Sequence, residues 1–152
     1  MIGAMGSFDY PSTGLDEPLD CYLHGYVSNR LANTVRKAQE EGKPGLPICI
    51  AASKLDGVVL ALSAFHHSMN YRSAVLFGHV TIVNNLEEKD YAMTIITDKV
   101  VKQRWVNSRL PATKAEISST SILKVKIDSA SGKARAEPLG DDKEDLENED
   151  LS

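Results

Sequence analysis

Three apolar runs follow one another with little between them: LPICIAASKL (Leu46–Leu55), VVLALSAF (Val58–Phe65) and YRSAVLFGHVTIV (Tyr71–Val83). Runs this rich in β-branched residues, with no helical spacing separating them, predict strands joined by hairpins. Such strands pair antiparallel, whereas a parallel sheet needs a long crossover between neighbours. The pair Asp56-Gly57 sits between the first two runs and predicts a two-residue hairpin with both arms largely buried. Gly78 interrupts the third run and predicts a bulge or a close backbone approach.

The rest of the chain adds two further strands and a few helices. MIGAMG (Met1–Gly6) reads as the end of a strand, Ser7 to Asp20 as a long loop, and CYLHGYV (Cys21–Val27) as a short strand. A helix is expected from Asn29 to Glu41, with Leu31, Val35 and Ala38 on one face, Ser28 as N-cap and Gly42 as its stop. A second helix starts near Leu86. Asn85 and Glu88 have the form of a capping box, and Leu86, Met93, Ile96 and Val100 share a face. A short helix covers Thr113 to Ser118. STSILKVKID (Ser119–Asp128) is the last strong strand, Ser131-Gly132 a turn, and KARAE a weak edge strand. Strands outnumber helices, so the fold class is mainly β: an antiparallel barrel with peripheral helices.

Length and charge narrow the function classes. The 152 residues suit one domain, and the formal net charge is −4. Residues 141–152 hold seven acids and one lysine, so that segment carries −6 and the remainder +2. Two regions are therefore expected: a folded domain over 1–140 and a disordered acidic tail over 141–152. The mildly basic body suits a small anionic ligand better than a duplex. Only 6% of residues are aromatic and no basic stripe is present, which argues against nucleic-acid binding. Cys21 and Cys49 lie in apolar runs and read as buried free thiols of a reducing compartment. No run reaches transmembrane length and no signal peptide is visible, so a cytoplasmic location is expected.

Two polar clusters carry the candidate chemistry. In the first, His24-Gly25-Tyr26-Val27-Ser28-Asn29-Arg30, a strand ends and a helix begins. Backbone N–H groups, the Ser28 hydroxyl, the Asn29 amide and the Arg30 guanidinium converge there in the manner of a phosphate cradle. The alternative is that Ser28 caps the helix and Arg30 is a surface charge. His24 lies just before the turn.

The second cluster is AFHHSMNYRS (Ala64–Ser73). His66 and His67 are neighbours and, in a strand, point to opposite faces. No carboxylate follows at ligand spacing, so no metal site is expected. Asn70 and Arg72 fall on one face, Tyr71 and Ser73 on the other. Arg72 between apolar strands needs a partner, either an anionic ligand or a carboxylate such as Asp56. Nucleophile-elbow, P-loop and dinucleotide fingerprints are all missing.

Taken together, YLHGYVSNRL, LDGVVLA, SAFHHSMNYRSAVLFG and the late STSIL…SGK element resemble the flavin-nucleotide-binding branch of the pyridoxamine 5′-phosphate oxidase-like superfamily, which includes nitroimidazole-resistance proteins. The resemblance runs from about Met1 to Asp145. It implies an FMN-binding split β-barrel of antiparallel Greek-key type, forming a homodimer with FMN in grooves at the subunit interface. By position, Leu23 and His24 match the strand end beside the flavin. Ser28, Asn29 and Arg30 match the family's Ser-Arg-Lys phosphate grip, with Asn29 in place of a basic residue. Asn70, Tyr71, Arg72 and Ser73 match the strand reaching FMN from the other side. His24 corresponds to the histidine placed over the flavin in the resistance proteins.

Relative to the family pattern, the first helix and strand precede the MIGAMG position and a Trp-Gly-Val element follows the acidic segment, so both ends look trimmed. The C-terminal Arg-Leu substrate motif of the true oxidases is not found. The resemblance thus implies an FMN-dependent oxidoreductase acting on a small aromatic, nitroaromatic or quinone-like substrate, with His24 as its catalytic residue. The rival reading keeps the fold, with or without the cofactor, but no turnover: a non-catalytic flavin-binding or interaction protein.

Overall fold

The computed structural model describes residues 1–11 and 19–151. The middle of the expected Ser7–Asp20 loop, residues 12–18, lies outside the described residues. In chain order the elements are β1 (Ile2–Gly6), β2 (Asp20–Tyr26), α1 (Arg30–Glu40), β3 (Leu46–Val59), β4 (Ser68–Ile82), α2 (Leu86–Val100), α3 (Lys114–Ser119), β5 (Thr120–Arg135) and α4 (Lys143–Leu146). The five strands form one sheet in the order β1-β2-β5-β4-β3, a mainly β, split-barrel architecture. No described helix is long and apolar enough to cross a membrane. Contacts divide the chain into two compact units, Met1–Ile48 with Phe77–Ser129, and Cys49–Leu76 with Ala130–Ser152.

The first unit holds the main core. β1 pairs antiparallel with β2, from Ile2 opposite His24 to Gly6 opposite Asp20, and β2 pairs antiparallel with β5, from Cys21 opposite Val125 to Tyr26 opposite Thr120. This register places Tyr22 and Ile122 in one cluster with Ala4 and Val83 and with Ala92 and Ile96 of α2. Tyr22, Ile122, Leu123 and Val125 are fully buried, each worth about 1.5–3 kcal/mol relative to exposure. Helix α1 buries Ala32, Val35 and Ala38, one turn of the expected stripe having rotated from Leu31 to Ala32. On α2 only Ala92 and Ile96 are buried, while Leu86 and Val100 of the expected face are exposed.

Gly78 is required by close approach. A Cβ there would run into the carbonyl oxygen of Lys126 and lie 3.1 Å from Val125 Cγ1. The glycine therefore lets β4 approach β5, one of the two roles its position implied.

In the second unit the expected hairpin at Asp56-Gly57 is absent, because β3 runs unbroken from Leu46 to Val59. Gly57 is not among the glycines with positive φ, so it does not adopt the turn conformation that the pair favours. Asp56 binds the Arg72 guanidinium on β4 with both oxygens, at 2.7 and 2.8 Å. The chain turns later, through a 3₁₀ turn at Ala64–His66. Similarly β5 continues through Ser131-Gly132 to Arg135, so the turn and separate edge strand expected there merge into one strand. The two arms are also not largely buried: Leu55, Val58 and Leu60 are exposed. Cys49 on the same strand is exposed as well, while Cys21 is buried, and both are free. In the acidic segment Asp141 Oδ1 accepts a hydrogen bond from Leu62 N at 2.7 Å, and α4 forms one helical turn.

Candidate functional site

The strand-to-helix junction of the first unit is built by Asn29. It is the N-cap of α1, where Ser28 was expected, and its Oδ1 accepts from Ala32 N at 2.7 Å. Asn29 N in turn donates to Tyr26 O at 3.0 Å, closing the turn. A Cβ on Gly25 would meet the Asn29 amide and come within 2.9 Å of Met1 Cε. A glycine before the cap is therefore a packing requirement, and it lets the helix start lie close against β2. The sequence favoured Ser28 because serine and asparagine cap equally well; the turn length decides between them.

Around this junction Ser28 and Arg30 are exposed. The Ser28 carbonyl accepts from Asn33 Nδ2 at 3.2 Å, and Arg36 braces the turn through the Val27 carbonyl at 3.2 Å. Asn29 takes the Ala32 N–H, and the Arg30 and Leu31 N–H groups have no intrahelical acceptor, so among the described residues the Ser28 hydroxyl, these N–H groups and the Arg30 guanidinium share one exposed helix start. Leu23 is buried, with its backbone paired to Leu123.

His24 is exposed on β2 and opens onto a cavity of about 340 Å³. Its walls come mainly from Met93, Ile96 and Val100 of α2 and from Trp105, with Arg104 among the polar lining. Sequence reasoning missed Arg104 and Trp105. They follow α2 in a segment with no motif, and only the fold brings them beside His24.

In the second unit the polar cluster is largely occupied by the chain itself. Asn70 Nδ2 donates to Glu137 O at 2.9 Å, and Glu137 N donates back to Asn70 Oδ1 at 3.0 Å. Arg72 has Asp56 as a partner, the carboxylate that its sequence position offered beside an anionic ligand. That hydrogen bond holds the Asp56 carboxyl below the usual carboxylate range. Ser73 Oγ donates to Lys133 O at 3.5 Å, and Lys133 Nζ lies 5.9 Å from the Tyr71 ring centroid. Together these contacts fasten β4 to the end of β5. Leu23, His24, Ser28, Asn29 and Arg30 belong to the first unit, and Asn70 to Ser73 to the second.

His66 and His67 differ in role. His67 Nδ1 accepts from Ala61 N at 3.1 Å. His66 Nδ1 is buried without a hydrogen-bond partner among the described residues and lies 4.0 Å from Asp142 Oδ2. One ligand atom each from His66, Asp142 and Asp145 lie within 4.8 Å of one another. The carboxylates that the local spacing lacked come from the acidic segment, more than seventy residues away in the sequence.

The comparisons with known proteins agree with this fold. A family model described as pyridoxamine 5′-phosphate oxidase matches residues 12–134. An FAD and heme binding protein from Mycobacterium smegmatis is 28% identical with a TM-score of 0.65, over 84% of this chain and 58% of that one. A flavocytochrome from Azotobacter vinelandii is 26% identical with a TM-score of 0.63, over 95% of this chain and 66% of that one. A candidate 5-nitroimidazole antibiotic resistance protein from Bacteroides thetaiotaomicron shares the fold at 22% identity and a TM-score of 0.54, over 74% of this chain and 60% of that one. The chain thus spans less than two thirds of each of these structures. No curated protein sequence matches it significantly. With the family model covering most of the chain and the split-barrel topology in place, the chain belongs to the pyridoxamine 5′-phosphate oxidase family.

Proposed function

We propose that this protein is an FMN-dependent oxidoreductase acting on a small aromatic, nitroaromatic or quinone-like substrate. The observation that carries the reading is the α1 start. Ser28 and Arg30 are exposed there beside the first N–H groups of the helix, one strand-turn away from His24, an arrangement that suits an anion, in a family whose similar structures include flavin proteins. The residues fit a phosphate-tailed cofactor: a hydroxyl, backbone N–H groups and a guanidinium lie within a few consecutive residues at the helix start, and among the described residues no carboxylate pairs with Arg30.

Bound flavin would supply the electron transfer between a donor and the substrate. The chain's own groups do the rest. Arg30 and Ser28 hold the phosphate. The largely apolar cavity orients a ring. His24, exposed at the cavity, holds or delivers a proton to the ligand beside it. The contacts of Asn70 and Arg72 to Glu137 and Asp56 make them supports of the second unit in this reading, with any contact to the cofactor made by the edges those bonds leave free.

The protein acts as a homodimer. Leu55, Val58 and Leu60 on and just after β3, together with Met69 on β4, leave an apolar surface exposed in one chain, and β3 is an edge strand of the sheet. Two free cysteines, one of them exposed, fit a reducing cytoplasm.

The test is the absorption spectrum of the purified protein after FMN addition, with mass analysis of the released cofactor. A band near about 450 nm and a released mass of FMN are expected. A spectrum with no flavin band sinks the reading. The similarity to an FAD and heme binding protein makes FAD the second candidate, which the released mass distinguishes, and a Soret band would report heme. Reoxidation of the reduced flavoprotein by nitroaromatic or quinone acceptors no faster than free FMN would leave a non-catalytic flavin carrier instead.

A further inference from the structure

We infer that the cavity beside His24 takes a planar aromatic carboxylate, with Arg104 as the partner of the anion and Trp105 as the platform for the ring. The inference deepens the functional reading above by naming the ligand class of its substrate pocket, and it relies on that reading only for calling the ligand a substrate.

The shape and lining set the ring. The cavity holds about 340 Å³ between α2 and the start of β1, lined by Met93, Ile96, Val100 and Trp105. A largely apolar cavity of this size suits a body of about one or two fused rings. Trp105 is held in place by its backbone. Its N–H donates to Asp98 Oδ1 at 2.8 Å and its carbonyl accepts from Ser108 N at 3.1 Å. The turn that presents it is unusual: Gln103 has φ of 58°, the left-handed region in which a side chain is disfavoured. Asn107 Nδ2 fixes that turn by donating to the Gln103 carbonyl at 2.8 Å. The geometry carries Arg104 and Trp105 together to the cavity.

The charge sets the anion. Among the described residues the polar side chains of the lining are His24, Arg104 and two threonines, with no carboxylate. Arg104 makes one long hydrogen bond, Nη1 to Asn107 O at 3.4 Å, and no ion pair with a described residue. Asp98, the nearest acid in sequence, instead accepts from Trp105 N. A guanidinium at the edge of an apolar cavity, with Nη2 and Nε unpaired among the described residues, matches a carboxylate in a bidentate arrangement. A cationic ligand would meet repulsion, and a neutral one would leave Arg104 unused.

Trp105 is the only tryptophan in the chain, so its fluorescence reports on ligands beside it, and the Arg104→Gln variant assigns the signal to this cavity rather than to the neighbouring one that Trp105 lines with Arg109 and Glu116. The full-length protein as purified is titrated with benzoate and with its neutral counterpart benzamide, following tryptophan emission and, independently, saturation-transfer NMR of the ligand. Benzoate is expected to bind about tenfold tighter than benzamide, the scale of one charge-assisted contact. In Arg104→Gln, which keeps the length of the side chain, the two ligands should bind alike while benzamide affinity is unchanged. Equal affinities in the parent protein, a preference that survives in Arg104→Gln, or no binding of either ligand to folded protein overturns the inference. The absorption spectrum of the same sample separates it from the flavin reading: benzoate preference without a flavin band leaves the pocket standing, and a flavin band without preference leaves the cofactor standing.

Discussion

The Tyr22 hydroxyl donates to Glu88 Oε1 at 2.8 Å, and Lys124 Nζ reaches the same oxygen at 2.9 Å. β2, α2 and β5 thus meet at one carboxylate, with Asp20 3.2 Å from Lys124 on the other side. Burial, then the Glu88 bond, pushes the Tyr22 phenol up. Burial alone would push Lys124 down, but its bond to Glu88 and the nearby Tyr22 and Asp20 raise it. Both folded-state values exceed the ordinary ones of 10.0 and 10.5. A group with a raised folded value lends stability that is complete below its unfolded value and lost as pH rises beyond it. The melting temperature should therefore be insensitive to these groups near neutrality and fall above about pH 10. Tyr22→Phe should lose about 1–2 kcal/mol at neutral pH and fall less steeply in alkali. Parallel alkaline slopes for the two proteins would show that this linkage does not exist.

Helix α3 offers an acid-side counterpart. Thr113 and Glu116 form a complete capping box, and Arg109 Nη2 also donates to Glu116 at 2.6 Å. The Arg109 bond first, then the Thr113 backbone and hydroxyl, hold the Glu116 carboxyl down at about 2 against an ordinary 4.5. A depressed value means that the contribution is present above about 4.5 and is lost as pH falls toward 2. The side chain is exposed, so the effect is local. Side-chain carboxyl NMR should place the Glu116 midpoint well below those of the exposed glutamates, and Arg109→Ala should move it upward. A Glu116 midpoint in the common range would remove the pair.

Gly78→Ala should be among the most damaging single-methyl changes in the chain. The added carbon would overlap the Lys126 carbonyl, a backbone atom that cannot swing aside as a flexible side chain would. β4 and β5 would have to separate locally, at a cost of about 1–3 kcal/mol. Gly57→Ala is the control, because nothing lies within 4 Å of a Cβ there. Urea unfolding of the two variants gives the comparison, and equal midpoints would refute the close approach.

How much of this was legible in the sequence depends on whether a feature is local. The helix starts at Asn29, Asn85 and Thr113 are short-range hydrogen-bond patterns, and they appear within a residue of where they were expected. The close approach at Gly78 was legible too, since an isolated glycine in a β-branched run has few other uses. Asp56-Gly57 misled because a strong turn pair was overruled from a distance: Arg72 on the next strand binds Asp56, and the strand runs on. Exposure of Leu55 and Val58 was not legible, since an apolar strand looks the same whether its cover is its own chain or another surface. At the candidate site, His24 and the α1 start could be read as a motif. Arg104, Trp105 and the two aspartates near His66 could not, because nothing in their local sequence says which strand or turn they will meet.

Arg30 and Asn29 separate binding from folding at the proposed phosphate site. Asn29 holds the helix start through Ala32 N, so Asn29→Ala should cost about 1 kcal/mol of stability, seen as a lower melting temperature without cofactor. Arg30 is exposed and unpaired among the described residues, so Arg30→Ala should leave that temperature unchanged. Its effect should appear on FMN affinity: removal of one charge-assisted contact costs about 1.5–3 kcal/mol, or roughly 10- to 150-fold in dissociation constant. Arg72→Ala is the contrasting case. Its guanidinium already holds Asp56, so its loss should lower stability slightly and FMN affinity less than Arg30→Ala does. Isothermal titration of the three variants with FMN resolves the order. If Arg30→Ala binds FMN as tightly as the parent while Arg72→Ala does not, the phosphate belongs to the second cluster and the α1 start is only a cap.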